Sequence, residues 1–184
     1  VSDQYRLKDY CMDPACGSGI FLISICNKIL ESDLPLNEKE DSIKRLYGID
    51  MNPFAIFSAI LNHLLLFQEH SIKILPNLIC SDYLLTKKRL PKFNLIIGNP
   101  PWVVINGLKS AEYVEQIKDI GNRYEIIRGD KFVTSTEICT LFVYRILEYL
   151  QDSGTVFFIT PASLINGEQH ALFRQFKGMS DIRI

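Results

Sequence analysis

Short apolar runs of strand length alternate with stretches of helical periodicity along almost the whole chain, and this alternation limits the possible folds most sharply. "YCMD" (10–13), "RLYGID" (45–50), "NLICSD" (77–82), "FNLIIGN" (93–99) and "TVFFIT" (155–160) read as strands. Helical patterns cover 18–30, 52–70 and 136–149, with further helices near 110–119 and 168–177. Segment 31–42 is a polar loop able to hold a short helix, and "DIRI" (181–184) reads as the opening of a sixth strand. Strands separated by helices need crossover connections, so the expectation is an α/β fold with a mostly parallel, doubly wound sheet covered on both faces. Local signals agree: Ser18 stands near the start of the first helix, and Pro53 occupies the first turn of the next. Ser135 or Thr136 is placed to cap the helix that ends before Gly154.

Composition narrows the class. The chain has 184 residues, 47% hydrophobic and 22% charged, enough for one domain with a sizeable core and too apolar for disorder. No apolar run reaches the roughly 18 residues of a membrane span, and "VSDQYRLKDY" lacks a signal peptide's apolar stretch. Cys11, Cys16, Cys26, Cys80 and Cys139 show no CxxC spacing, which fits reduced thiols in a cytoplasmic protein. His63, His70 and His170 form no metal-binding pattern, so no protein-bound metal is expected. Net charge is −1 and the pI about 6.3, whereas a self-sufficient DNA-binding domain is usually basic.

In open parallel sheets, ligands sit beyond the carboxyl ends of the strands, where the strand order switches. The first such end is "DPACGSG" (13–19), in which Gly17 and Gly19 allow a ligand to approach the backbone and the next helix offers unpaired N–H groups. A dinucleotide fingerprint would need glycine where Leu22 stands, and no GKS or GKT marks a P-loop. The second end, "GIDMNP", carries Asp50, suited either to ribose hydroxyls or to capping residues 52–54, and Met51, which offers a face to an adenine. The third, "CSDY", offers Asp82 as acceptor for an adenine amine or simply as a turn aspartate. The fourth is "GNPPW" (98–102): proline cannot feed a sheet ladder, so Pro100 stops the strand and Pro101 stiffens a ledge presenting Asn99 and Trp102.

In this order the four ends resemble S-adenosylmethionine-dependent amino methyltransferases, most closely the DNA adenine-N6 class of restriction–modification systems. "DPACGSGIFL", "GIDMNP", "SDY" and "NPPW" are similar to its first four motifs, and "GTVFFITPASLI" (154–165) to the stretch that follows the next helix. The resemblance covers nearly all of 9–177 and implies a Rossmann-like methyltransferase fold with S-adenosylmethionine as cofactor. It implies that Asp13, Ala15 and Gly17 line the cofactor's methionine end and that Asp50 takes its ribose hydroxyls. Met51, Asp82 and the Tyr83 backbone N–H would meet its adenine. Catalysis would fall to Asn99, Pro100, Pro101 and Trp102. The Asn99 side-chain oxygen and the Pro100 carbonyl would accept the two N–H bonds of a flipped-out adenine amine, freeing its lone pair, while Trp102 stacks on the base. Taken alone, Trp102 reads as a core residue and "PP" as a turn.

Related enzymes methylate a protein glutamine or a ribosomal RNA base with a similar ledge, but usually carry "GTGSG"-like first motifs where this chain has "PACGSG". A non-catalytic scaffold module is a further alternative. This chain also departs from the family: Glu137, Ile138 and Cys139 stand where an Asp-Leu-Tyr-like triplet is common, leaving Phe142 either as a pocket wall or as helix core. Segment 103–135, with Arg123, Tyr124, Arg128 and Lys131, suits a DNA-side loop or a solvated insertion equally. The resemblance further implies that 1–184 is a catalytic-core fragment, truncated at its last strands and lacking the target-recognition domain. Such a fragment would be inactive alone. Double-stranded DNA would be held through the parent protein, with a specificity or nuclease subunit or fused domain as a further partner.

Overall fold

A computed structural model describes residues 5–127 and 136–183. Two compact units divide the chain: Val1–Asn99 with Tyr149–Phe158, and Pro100–Glu148 with Ile159–Ile184. The first holds the sheet. β1 (Cys11–Asp13), β2 (Leu46–Asp50), β3 (Asn77–Cys80), β4 (Phe93–Gly98) and β5 (Leu150–Phe158) lie in the order β3-β2-β1-β4-β5. Every pairing is parallel. The chain winds outward from β1 to β3 and then returns to place β4 on the other side of β1. That reversal puts the switch point between β1 and β4, whose carboxyl ends are Asp13 and Gly98.

The crossovers are α1 (Ile20–Leu30), α2 (Leu36–Ile43) and α3 (Pro53–Phe67). Asn52 caps α3 by accepting from Phe54 N–H at 3.0 Å, with Pro53 at the first helical position as expected. Gly19 caps α1 in a left-handed conformation without a side-chain bond, directly after Ser18. Cys11, Leu22, Ile25, Ile29, Leu95 and Ile97 are among the buried residues of the core between α1 and the sheet. Each such aliphatic side chain stabilises the fold by about 1.5–3 kcal/mol on burial.

β5 begins five residues earlier than its apolar run suggests. Leu150 pairs with Phe93, the ladder then breaks, and Thr155 resumes opposite Leu95, so the polar "QDSG" is an outward bulge within a strand. Asn94 holds it from below, its Nδ2 donating to Gln151 Oε1 at 3.0 Å.

The second unit carries α4 (Ala111–Arg123), capped by Ser110, which accepts from Tyr113 N–H. It also carries α5 (Ile138–Arg145) and the short α6 (Ser163–Asn166). α5 is shorter than expected and is preceded by Glu137 without a side-chain cap bond; Thr136 instead gives its carbonyl to Ile105 N–H. The expected helix over 168–177 resolves into two 3₁₀ turns, Glu168–His170 and Phe173–Gln175. Arg174 Nη1 takes the carbonyls of Leu164 and Gly167, and His170 and Phe173, three apart, turn inward together. Residues 181–183 form no strand. Phe142 is buried in α5, the core reading of that residue. Arg128 and Lys131 lie outside the described residues, while Tyr124 donates to Glu148 and stacks on Tyr144 with ring centroids 6.0 Å apart.

Candidate active site

The turn after β1 is tied to β2 by backbone and carboxylate together. Cys16 N–H donates to Ile49 O at 2.9 Å, and Gly17 N–H to Asp50 Oδ2 at 2.9 Å. The two glycines serve different ends. Gly17 has φ +54° and open space where a side chain would stand, so a ligand can lie against its backbone. Gly19, at φ +85°, would drive a methyl group to 2.9 Å from His63 Cε1 on α3. Asn62 braces the same turn, its Nδ2 donating to Ser18 O at 3.1 Å. Sequence reading missed Asn62 and His63, because nothing local marks two mid-helix polar residues as supports for a loop more than forty positions away.

Asp13 lies wholly inside this turn. Its Oδ1 accepts from Ala15 N–H at 3.1 Å, while Oδ2 is enclosed without a partner. Burial pushes its pKa up to about 7, opposed by the Ala15 amide and reinforced by the nearby Asp50 charge. The carboxylate presses on β4: a methyl group on Gly98 would stand 2.7 Å from Asp13 Oδ1. Asp13, Ala15, Gly17 and Asp50 are thus brought together, with the residue before Asn99 against them.

Asp50 spends one lone pair of each oxygen on the chain, taking Gly17 N–H through Oδ2 and Asn52 N–H through Oδ1 at 2.8 Å. A carboxylate has about four acceptor sites, so two remain for a ligand. Asp82 likewise takes Leu84 N–H at 2.8 Å and Leu85 N–H at 3.4 Å through Oδ1. The Tyr83 ring is buried, 6.1 Å from that of Tyr149. Met51 is 64% exposed beside Asp50, with an apolar face free for a planar group. An open Gly17, spare acceptor sites on Asp50, an exposed Met51 and the uncapped N–H groups of α1 suit a ligand with an anionic end, a diol and a flat ring.

At the fourth end Asn99 is exposed, and among the described residues its side-chain amide has no hydrogen-bond partner. In the second unit Pro100 is buried, and Trp102 is 53% exposed with Nε1 donating to Ile159 O at 3.4 Å, so the core reading of Trp102 does not hold. Val103 O accepts from Ile138 N–H at 2.8 Å, and Val104 forms an antiparallel bridge with Glu137. Among the described residues no cluster of three or more His, Cys, Asp or Glu could hold a metal ion, and no helix is long and apolar enough to cross a membrane.

The strand order, the glycine turn after β1 and the polar strand ends are those of a Rossmann-like methyltransferase fold. The chain belongs to the Eco57I restriction-modification methylase family, whose profile matches residues 44–183. It is 34% identical over 95 residues to the Type II restriction enzyme and methyltransferase RM.BcgI of Heyndrickxia coagulans, a match covering 51% of this chain and 15% of that protein. The Type ISP restriction-modification enzyme LlaGI, solved with a DNA substrate mimic, superposes with a TM-score of 0.72 at 18% identity, over 91% of this chain and 17% of that one. The DrdV–DNA complex gives 0.71 at 19% identity, over 92% and 19%. A Listeria monocytogenes protein of the class I S-adenosylmethionine-dependent methyltransferases gives 0.65 at 19%, over 94% and 45%. At such identities the superpositions carry the fold. The chain spans less than half the length of each of these relatives.

Proposed function

We propose that this chain is the catalytic core of a DNA adenine-N6 methyltransferase of a restriction–modification system. The observation that carries the reading is Asn99: an exposed amide without a partner among the described residues, at the switch-point end of β4. This amide follows Gly98, which packs on Asp13, and is open to a ligand. S-adenosylmethionine supplies an electrophilic sulfonium methyl group when bound. The turn at Asp13, Ala15 and Gly17 shapes the pocket for its methionine end, and the spare lone pairs of Asp50 take the ribose hydroxyls. Met51 packs on its adenine, whose edge Asp82 and the Tyr83 N–H read.

The acceptor amine is a poor nucleophile because its lone pair is delocalised into the ring. With one N–H donated to Asn99 Oδ1 and the other to the Pro100 carbonyl, the nitrogen would be held pyramidal with its lone pair free to accept a methyl group. The bound sulfonium would give up that methyl and leave as a thioether, and one amine proton would pass to solvent. Positioning and electrostatics then do most of the catalysis. The base must leave the duplex at a cost of a few kcal/mol, which stacking on Trp102 offsets by about 1–3 kcal/mol. Duplex DNA is held through other parts of a parent protein; the near-neutral charge of this chain, −1, supplies little phosphate attraction by itself. Membership of a restriction-modification methylase family favours DNA over the protein-glutamine and ribosomal RNA alternatives.

The test is product analysis by mass spectrometry after incubating the full-length parent with S-adenosylmethionine and DNA, RNA or protein. N6-methyladenine in DNA is the expected product. Methylglutamine or a methylated RNA base as the sole product overturns the substrate assignment.

A further inference from the structure

Glu137 is a carboxylate buried in the second unit, and none of the salt bridges among the described residues joins it to a lysine or arginine. Enclosing such a charge costs several kcal/mol unless hydrogen bonds compensate. Its Oε1 accepts from Ser163 Oγ–H, and its Oε2 from the Cys139 thiol at 3.6 Å. His170, itself buried, stands with Nε2 3.8 Å from Oε1, within ion-pair reach but too far for a hydrogen bond. Burial holds the His170 pKa below its ordinary value, so this ring does not neutralise the carboxylate at pH 7.

The position of Glu137 in the chain gives this cost a use. Its backbone bridges Val104, two residues from Trp102, and the flanking bonds Ile138 N–H to Val103 O and Ile105 N–H to Thr136 O fix that short ribbon. Its side chain reaches Ser163, four residues beyond Ile159, whose carbonyl takes the Trp102 indole. One residue therefore ties the segment that carries Trp102, through its bridge to Val104, to the start of α6, four residues beyond the carbonyl that takes the indole. From this geometry we infer that Glu137 is a positioning residue for Trp102, acting through Ser163 as a clamp on the aromatic ledge. The inference rests on the reading of Trp102 as the surface that receives the acceptor base, but the clamp itself can be measured without any reaction.

Trp102 is the only tryptophan, so intrinsic fluorescence reports on this residue alone. Glu137→Ala and Ser163→Ala should shift its emission to the red and raise its acrylamide quenching constant. Glu137→Gln, whose amide oxygen still accepts from Ser163, should retain the native signal. Tyr124→Phe removes a bond to Glu148 in the same unit that touches neither segment, and should change nothing. In the full-length parent, Ser163→Ala should lower kcat/KM for DNA methylation by up to about 100-fold, as a small misplacement can, with cofactor affinity retained. If Glu137→Ala does not fold, as judged by circular dichroism, the milder Ser163→Ala decides. Native emission and quenching in a folded Ser163→Ala protein overturns the clamp. A shifted emission with undiminished methylation leaves the clamp standing and removes Trp102 from base capture.

Discussion

The first three strand ends and the fourth are built on opposite principles. Asp13 and Asp82 accept backbone N–H groups from their own turns, and Asp50 from its own turn and from the turn after β1, at 2.8–3.4 Å. Asn99 accepts none among the described residues and is exposed. On the proposed reading, the aspartates serve the fold and the cofactor together, whereas Asn99 serves the reaction alone. Substitutions of the three aspartates should move stability as well as binding; substitution of Asn99 should move activity alone.

The largest expected effect tests the closed side. The Asp13 carboxyl, with a pKa of about 7 in the folded protein, keeps its proton from about pH 4 to 7 while the unfolded chain has lost it. Stability should therefore fall as pH rises through that window and level off above pH 7, by as much as about 4 kcal/mol from this group. Asp13→Asn, whose amide oxygen still takes the Ala15 N–H, should flatten the dependence, as seen by denaturant melts at pH 5 and pH 8. An unaltered slope would mean that Asp13 does not titrate as its enclosure requires.

Asn99→Ala tests the open side. In the full-length parent it should cut methyl transfer by about 100- to 1,000-fold, the loss seen when one preorganised polar group is removed from a reacting centre. Stability should stay within about 0.5 kcal/mol, because no bond within the fold is lost. A destabilised mutant, or one that loses cofactor affinity in parallel, breaks the distinction between the two sides.

Asp50→Ala should show both behaviours at once. Calorimetry should find S-adenosylmethionine binding weakened by roughly 1.5–3 kcal/mol, as for hydrogen bonds to a charged group. Thermal melts should show a loss of about 1–3 kcal/mol from the released Gly17 and Asn52 amides. Unchanged affinity in a destabilised protein would assign Asp50 to the turn alone. The smallest effect belongs to Gly17→Ala. With open space at its Cβ, only the left-handed backbone at φ +54° resists the change, costing about 1–2 kcal/mol. A methyl group there should also lower cofactor affinity, and equal affinity would place the ligand elsewhere.

How much of this was legible in advance depends on the range of the interaction. The alternation of apolar runs located β1 to β4 and helices α1 and α3, because side-chain periodicity is a local property. The residues at the strand ends were placed for the same reason: in a parallel sheet, whatever follows an apolar run stands at the carboxyl edge. β5 was cut short, because a bulge is defined by the partner strand and "QDSG" reads as a loop without Phe93 and Leu95 beside it. The segment 168–177 showed helical composition but folds as two 3₁₀ turns, where Arg174 finds the carbonyls of Leu164 and Gly167.

The sequence by itself determined the class of fold and the residue types that stand at the carboxyl ends of its first four strands. Those follow from periodicity and from the inability of proline to continue a ladder. Only the tertiary structure decided which of those residues are already occupied. Asp50 shares itself between Gly17 and Asn52, Asp13 is sealed beneath Gly98, and Glu137 is enclosed with Ser163 and His170. The reason is physical: a hydrogen bond between positions 17 and 50, or 137 and 163, exists only once the chain has brought distant residues within about 3 Å.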